Sequence, residues 1–337
     1  MLHYIIALLL PFLLSLLIGP YLIRYLHKLK YGQTEYELGP ESHKKKQGTP
    51  TMGGLMIAFT VTVTTVICNI FGIGFWQDAT IGLLAAALLS MLVGFLDDYI
   101  KVVKKRSLGL TPWQKIAGQV LVAGLFTAYC YFHPQIGSKV IVPFANIEWD
   151  LGLWYLPLMF VTVLLMVNSA NLLDGLDGLL STVACIGSGA WAVIALFSPL
   201  LLAFMPGSGA VSESTAVFAL AIVGALMGFL RFNYYPAKVI MGDTGSMFIG
   251  GATVAIAMVL RLPLLLIPIA FWMLASSFSV ILQRYYFKLT HGKRIFKMSP
   301  VHHHFELSGW SETQIVAMYG VTTAILAIVS VIGVCIR

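Results

Sequence analysis

The sequence predicts an all-α integral membrane protein, a bundle of about ten transmembrane helices with both termini outside, forming one polytopic domain over residues 1–337. Three observations predict it. Charged residues make up 10% of the chain and hydrophobic ones 58%, whereas a soluble domain carries about 25% charged residues. The mean hydropathy is +0.87. Ten apolar stretches are long enough to cross a hydrocarbon core of about 30 Å, which takes roughly 20 residues of helix, and the basic residues between them favour one side.

The stretches run over 3–26, 52–72, 79–97, 116–133, 153–171, 179–200, 214–231, 239–260, 263–287 and 313–336. The first, within MLHYIIALLLPFLLSLLIGPYLIRYLHKLK, has its positive charges after the apolar run and no small-residue cleavage site, so it is expected to be a retained span. The linkers are short and polar, too short for a second domain, and no internal repeat stands out. KVIVPFANIEWDLG, from Lys139, alternates weakly in the manner of a small β-hairpin on the outer side. Cys68, Cys130, Cys185 and Cys335 lie in apolar runs without CxxC spacing and read as core residues.

Orientation follows from the basic residues. Of the 21 lysines and arginines, 15 lie in loops that follow odd-numbered spans, and Arg24, Arg231 and Arg284 end helices on that same side. Only Lys139, Arg261 and Arg337 lie opposite. The odd-to-even loops are therefore expected to be cytoplasmic.

The acidic residues carry the chemistry. Asp97 and Asp98 close the third span in VGFLDDYIKVVKK, Asp174 and Asp177 follow the fifth in NSANLLDGLDGL, and Asp243 opens the eighth in FNYYPAKVIMGDTGS. All five fall at cytoplasmic helix ends. A mid-bilayer aspartate costs roughly 2.5–3.5 kcal/mol on insertion scales, so a water-facing cleft is the economical place for them. Each also has a plain structural reading. Asp243 can cap its helix; Asp174 and Asp177, one turn apart and so able to face the same way, stand among Gly175 and Gly178, which also fit an ordinary helix-ending turn; Asp97 can pair with Lys101 four residues on. Against these, adjacent carboxylates at a helix C-terminus oppose the helix dipole and each other. A divalent cation or a proton-transfer role accounts for them better, and Mg²⁺ suits carboxylates combined with substrate phosphates.

Two loops on the same side suit an anionic partner. HKKKQGTPTMGG, residues 43–54, joins a basic run to glycines that let backbone N–H groups approach a phosphate, without the GxxxxGK[ST] spacing of a P-loop. SPVHHHFELSGW, from Ser299, places His302, His303 and His304 side by side. Consecutive residues diverge in direction, so three neighbours do not close readily on one metal; imidazoles can instead donate to phosphate oxygens. Together these residues point to a phosphate ester or pyrophosphate substrate.

LDDYIK, NSANLLDGLDGL, FNYYPAKVIMGDTGS and SPVHHHFELSGW, in this order, resemble the polyprenyl-phosphate hexose-1-phosphate transferase superfamily over nearly the whole chain. Within it, HKKKQGTPTMGG and HHHFE resemble the phospho-N-acetylmuramoyl-pentapeptide transferases of bacterial cell-wall synthesis. The resemblance implies a Mg²⁺-dependent transfer of phospho-MurNAc-pentapeptide from UDP-MurNAc-pentapeptide to undecaprenyl phosphate, giving lipid I and UMP at the cytoplasmic face of the bacterial inner membrane. It implies Asp243 as the metal ligand with Asn171 nearby, and Asp97 assisting the lipid phosphate with Asp98 in support. It further implies Lys46, Lys101, Lys115, Asn233, Asp174 and Asp177 lining the nucleotide pocket, His302 on phosphate, and His303 and His304 on the sugar side. Expected partners are the two substrates and membrane lipids, with no nucleic acid; the oligomeric state is left open, a homodimer included. A sister enzyme that transfers GlcNAc-1-phosphate would share the aspartates but not the HHH loop. An ion-coupled transporter would place its polar site near the bilayer midplane, where this sequence has none of the five aspartates.

Overall fold

The computed structural model describes residues 2–28, 48–73, 78–103 and 109–335. In chain order the long helices are α1 (Leu2–Lys28), α2 (Gly54–Cys68), α3 (Asp78–Val103), α4 (Pro112–Phe132), α5 (Tyr155–Leu173) and α6 (Leu179–Phe197). The short α7 (Pro199–Phe204) precedes α8 (Gly209–Asn233) and α9 (Gly242–Val259). The chain ends with α10 (Leu266–Ile269), α11 (Phe271–Leu289), α12 (Val301–Glu306) and α13 (Glu312–Cys335). Among the described residues, nine helices are long and apolar enough to cross a membrane, and a bent pair supplies a tenth candidate crossing. The protein is an all-α membrane bundle, as the apolar stretches predict.

Helix α9 is the axis of the bundle. In its spanning window 89% of the residues are buried, against 22% in the peripheral α1. Glycines allow this. A Cβ on Gly250 would lie 2.7 Å from the Val167 Cα of α5, and one on Gly251 would lie 2.5 Å from the Ser90 Oγ of α3. Adjacent small residues thus let α9 approach two neighbours at once, the usual route to close helix packing in lipid, where apolar burial gives helices no reason to prefer each other over the bilayer. Gly251→Val forces over-packing, which costs about 1–3 kcal/mol. It is expected to lower the thermal unfolding midpoint in detergent, and an unchanged midpoint would contradict this packing.

Two departures from the sequence reading bear on the site. Helix α4 starts at Pro112 rather than 116, because TPWQ is a capping box. Thr111 Oγ1 accepts from Gln114 N at 3.3 Å, and Gln114 Oε1 accepts from Thr111 N at 3.0 Å, with Pro112 in the first helical turn. The stretch over 263–287 is not one straight span. It breaks at Ala270 (φ −104°, ψ 26°), and Pro263–Ile269 and Phe271–Leu289 meet at 84°. Helix α11 then buries only Met273, Ser276, Ser277 and Ser279, is tied to α5 through a 2.7 Å Ser169–Ser277 hydroxyl bond, and leaves Phe278, Leu282, Tyr285 and Leu289 outward as an exposed, largely apolar row.

The far end of α9 carries the expected hairpin. Strands β1 (Lys139–Val142) and β2 (Ile147–Asp150) pair antiparallel with Val140 opposite Trp149 and Ile141 opposite Glu148. This hairpin also accounts for two of the basic residues that defy the charge asymmetry. Lys139 pairs with Glu148 at 2.8 Å; Arg261 bonds the other oxygen of Glu148 and donates to the carbonyls of Lys139 (3.1 Å) and Phe204 (3.0 Å). At the hairpin's end Asp150 accepts from Ser138 Oγ at 2.6 Å and Gly152 N at 2.9 Å, bonds that hold its carboxyl below the usual carboxylate range.

Candidate active site

At the opposite end of α9 from the hairpin, four helices deliver polar side chains to one place. Asp97 and Asp98 come from the last turns of α3, Lys115 from the first turn of α4, Asn171 from the end of α5 and Asp243 from the start of α9. One oxygen from each of Asp97, Asp98 and Asp243 lies within 4.8 Å of the others. Lys101, one turn past Asp97, reaches all three carboxylates: 2.6 Å to Asp97, 3.1 Å to Asp243 and 4.0 Å to Asp98. Lys115 Nζ lies 2.8 Å from Asp243 Oδ2 and 3.4 Å from Asn171 Oδ1. Of the five aspartates expected at helix ends on this side, three converge here, and Asp174 and Asp177 do not join them.

Backbone geometry makes the approach close. Gly242, with φ +75°, turns the chain into α9, and a Cβ there would stand 2.7 Å from Asp98 Oδ2. A Cβ on Gly94 of α3 would meet Asp243 O at 2.1 Å, so nothing larger than glycine lets α3 lie this near. Asp98 Oδ2 accepts from Thr244 N (2.8 Å) and Thr244 Oγ1 (2.7 Å), and Asp97 Oδ1 accepts from Leu110 N (2.7 Å). The two aspartates are thus held differently. Asp98 is clamped to the start of α9, while Asp97 is fixed to the segment entering α4 and paired with Lys101.

The helix-cap reading of Asp243 fails. Helix α9 begins at Gly242, so Asp243 lies in its first turn, and its carboxylate accepts from Lys101, Lys115 and Asn171. Asn171 is also placed differently from the expectation. Its amide nitrogen, not its oxygen, faces Asp243 Oδ1 at 2.8 Å, and the same nitrogen donates to Ser246 Oγ at 2.9 Å. Ser246 Oγ in turn donates to Gly242 O at 3.0 Å, which fixes the hydroxyl as an acceptor toward Asn171. In this arrangement the Asn171 amide nitrogen orients Asp243, and its oxygen lies 3.4 Å from Lys115 Nζ. Three carboxylates with converging oxygens, facing two ammonium groups, remain an oxygen-only donor set with excess negative charge, and that suits a hard divalent cation.

The remaining expected residues surround this centre at greater remove. Asp174 and Asp177 are not one helical turn apart, because α5 ends at Leu173 and Asp174 (φ −77°, ψ 48°) leads a non-helical loop into α6. Asp174 is half-buried at the loop's start. Asp177 is buried: its Oδ2 accepts from Ala237 N at 2.9 Å, and its own N–H donates to Glu312 Oε2 at 3.1 Å. Asn233 is a brace rather than a lining residue. Its Oδ1 accepts from Ser181 Oγ at 2.8 Å and its Nδ2 donates to Val239 O at 3.0 Å, so both ends of the amide are engaged within the chain. Lys46 lies outside the described residues.

The three histidines form the first turn of α12, each in a different setting. His302 has no exposed surface, and its ring lies where a Cβ on Gly175 would be, 2.3 Å from Nε2. It therefore underpins the Asp174–Asp177 loop instead of presenting its ring to the cleft. His303 Nδ1 lies 3.1 Å from Glu306 Oε2, and His304 Nδ1 accepts from Lys297 N at 3.1 Å. His302→Ala would open a cavity beneath Gly175, and emptying a site of this size costs about 2–5 kcal/mol. Turnover is expected to fall about tenfold or more, together with the unfolding midpoint; wild-type values of both would show that the loop does not lean on this ring.

Thr244, Ser246 and Glu312 also hold the site together, and no motif or spacing singles them out as binding residues. The first two stand inside GDTGS, and their hydroxyls were the available signal. Glu312 opens α13 far along the chain, and nothing local links it to Asp177.

Comparison with known proteins agrees with this geometry. Residues 80–261 match the model of glycosyl transferase family 4, and residues 46–57 match phospho-N-acetylmuramoyl-pentapeptide-transferase signature 1. A phospho-N-acetylmuramoyl-pentapeptide-transferase of Bacillus subtilis (strain 168) is 44% identical over 96% of this chain and 96% of its own length. Proteins of the same name from Bacillus pumilus (strain SAFR-032) and Clostridium novyi (strain NT) are 44% and 42% identical, over 95% and 96% of this chain and 94% and 95% of theirs. With the aspartates of α3 and α9 meeting beside Lys115 in a membrane bundle, and with likeness of this extent, the chain belongs to the phospho-N-acetylmuramoyl-pentapeptide-transferase family.

Proposed function

We propose that the protein transfers phospho-MurNAc-pentapeptide from UDP-MurNAc-pentapeptide to undecaprenyl phosphate, releasing UMP and forming lipid I at the cytoplasmic face of the bacterial inner membrane. The observation that carries the reading is the meeting of Asp97, Asp98 and Asp243 with Lys101 and Lys115 at the end of the bundle opposite the hairpin. Water-soluble and lipid-borne substrates can both reach such a place.

In the reaction a phosphate oxygen of the lipid attacks the sugar-bearing phosphorus of the nucleotide. A new P–O bond forms, the bond to the bridging oxygen breaks, and UMP leaves with the electron pair. Both partners are anions, so the reaction is slow unless charge is offset. Lys101 and Lys115 supply two fixed ammonium groups, and Asp97, beside Lys101, is the residue placed to accept a proton from the incoming lipid phosphate or to orient it. Asp98, clamped by Thr244, keeps the start of α9 and hence Asp243 in register. Mg²⁺, held by Asp243 with the neighbouring carboxylates, would neutralise the pyrophosphate and stabilise the leaving UMP. Direct attack is the simpler course. An aspartate nucleophile would have to approach an anionic pyrophosphate, whereas the lipid phosphate is already a competent oxygen nucleophile. The Asp174–Asp177 loop, with His303 and His304 beyond it, forms the side assigned to nucleotide and sugar.

The test is purified protein with undecaprenyl phosphate and each of two donors, scored by UMP release. UDP-MurNAc-pentapeptide is expected to be consumed and UDP-GlcNAc spared; the reverse pattern would reassign the protein to the GlcNAc-1-phosphate branch.

A further inference from the structure

Beneath the site, two carboxamides join α4 to α5. Gln119 Nε2 donates to Asn168 Oδ1 at 3.2 Å, and Asn168 Nδ2 donates back to Gln119 Oε1 at 3.0 Å, with a further bond from Asn168 Nδ2 to Leu164 O at 2.8 Å. Gln119 is buried and Asn168 half-buried, and the narrow gap beside Gln119 is lined by Ser90 and Val93 of α3, Val122 of α4, and Val163, Leu164 and Val167 of α5, with no room for water. The clasp lies within two membrane spans, in surroundings that are apolar apart from Ser90, and its two reciprocal bonds make each amide the other's principal partner.

Its place in the helices gives it a role. Gln119 is four residues after Lys115 and Asn168 is three before Asn171, so on each helix the clasp residue and the site residue share a face. The clasp and the Lys115–Asn171 contact (3.4 Å) are thus two successive rungs between the same pair of helices. A two-bond amide pair is directional: it fixes how far α4 slides along α5 and how far it rotates, where a pair of leucines would tolerate both. Lys115 and Asn171 then each hold one oxygen of Asp243, Nζ to Oδ2 at 2.8 Å and Nδ2 to Oδ1 at 2.8 Å. That grip fails if either helix shifts.

We propose that Gln119 and Asn168 are positioning residues for the transfer, setting the axial and rotational register that brings Lys115 and Asn171 together on Asp243. This rests on the transferase reading above. The test replaces both amides, Gln119→Leu with Asn168→Leu, so that no orphaned polar group is left in the bundle to unfold it, and does so in the parent chain and in Lys115→Met. In the parent chain the double change is expected to lower kcat/KM for the nucleotide sugar by about tenfold to a hundredfold, the range for small misplacement of catalytic groups. The KM for undecaprenyl phosphate and the unfolding midpoint should stay near their starting values. In Lys115→Met the same double change should cost at least about threefold less than in the parent chain, because one of the two groups it positions is gone and only Asn171 remains on Asp243; coupled residues give such non-additive losses. Wild-type turnover in the double leucine variant would overturn the proposal. So would an equal fractional loss in both backgrounds, or a loss that tracks a fallen midpoint, since a general packing role produces those. No UMP release from the parent chain would overturn the transferase reading itself, and this role with it.

Discussion

Asp243→Asn is expected to lose at least about 10³-fold in turnover, roughly 4 kcal/mol of transition-state stabilisation, while folding normally. The substitution is nearly isosteric, and Asp243 sits where α9 begins against Gly94, so shape is retained. What disappears is a carboxylate with partners on both oxygens, Lys101 at 3.1 Å and Lys115 at 2.8 Å on one, Asn171 at 2.8 Å on the other. An asparagine there faces two ammonium groups without charge, and the three-carboxylate donor set falls to two. Turnover measured against Mg²⁺ concentration should therefore drop at saturation and shift to higher Mg²⁺. Near-normal turnover with an unchanged metal response would remove Asp243 from the centre.

Lys115→Met is expected to be the next most damaging change, at about 10²–10³-fold in kcat/KM, the scale for deleting one preorganised donor at developing charge. Methionine keeps most of the apolar stem, so α4 can still pack, but Asp243 Oδ2 retains Lys101 alone and Asn171 Oδ1 loses its donor. Lys115→Arg separates charge from fit. A planar guanidinium is wider than an ammonium and is not a neutral exchange at a tight site, so about a tenfold loss is expected. Steady-state kinetics of the two variants check this, with UMP as a competitive probe of the nucleotide side. Equal activity of the methionine variant and the parent chain would place Lys115 outside the reaction.

Much of this protein was legible along the chain because two of its determinants are local. Apolar length reports helices directly when the solvent is hydrocarbon, and a charged group at the end of a span stands out against it. The aspartates of LDDYIK, NLLDGLDGL and GDTGS were visible as acids at helix ends for the same reason. Local rules misled where a neighbour overrode them. Asp243 has the composition of a cap but is drawn to Lys101 and Lys115 from other helices. Asp174 and Asp177 have helical spacing, yet α5 has already ended. His302 looked like a phosphate contact in a polar loop and is enclosed under Gly175.

By itself the sequence determined the membrane class, the order of most of the apolar helices and the asymmetry of charge between their ends, since each depends on residue type and spacing against a slab of fixed thickness. Tertiary structure alone decided which oxygens meet, which way the Asn171 amide points, and that the Pro263–Leu289 stretch bends through 84°. Those outcomes depend on contacts between segments up to about 140 residues apart, as between Lys101 and Asp243. No periodicity or motif encodes a distance of that kind; it is set by glycine-mediated approach of α9 to α3 and α5.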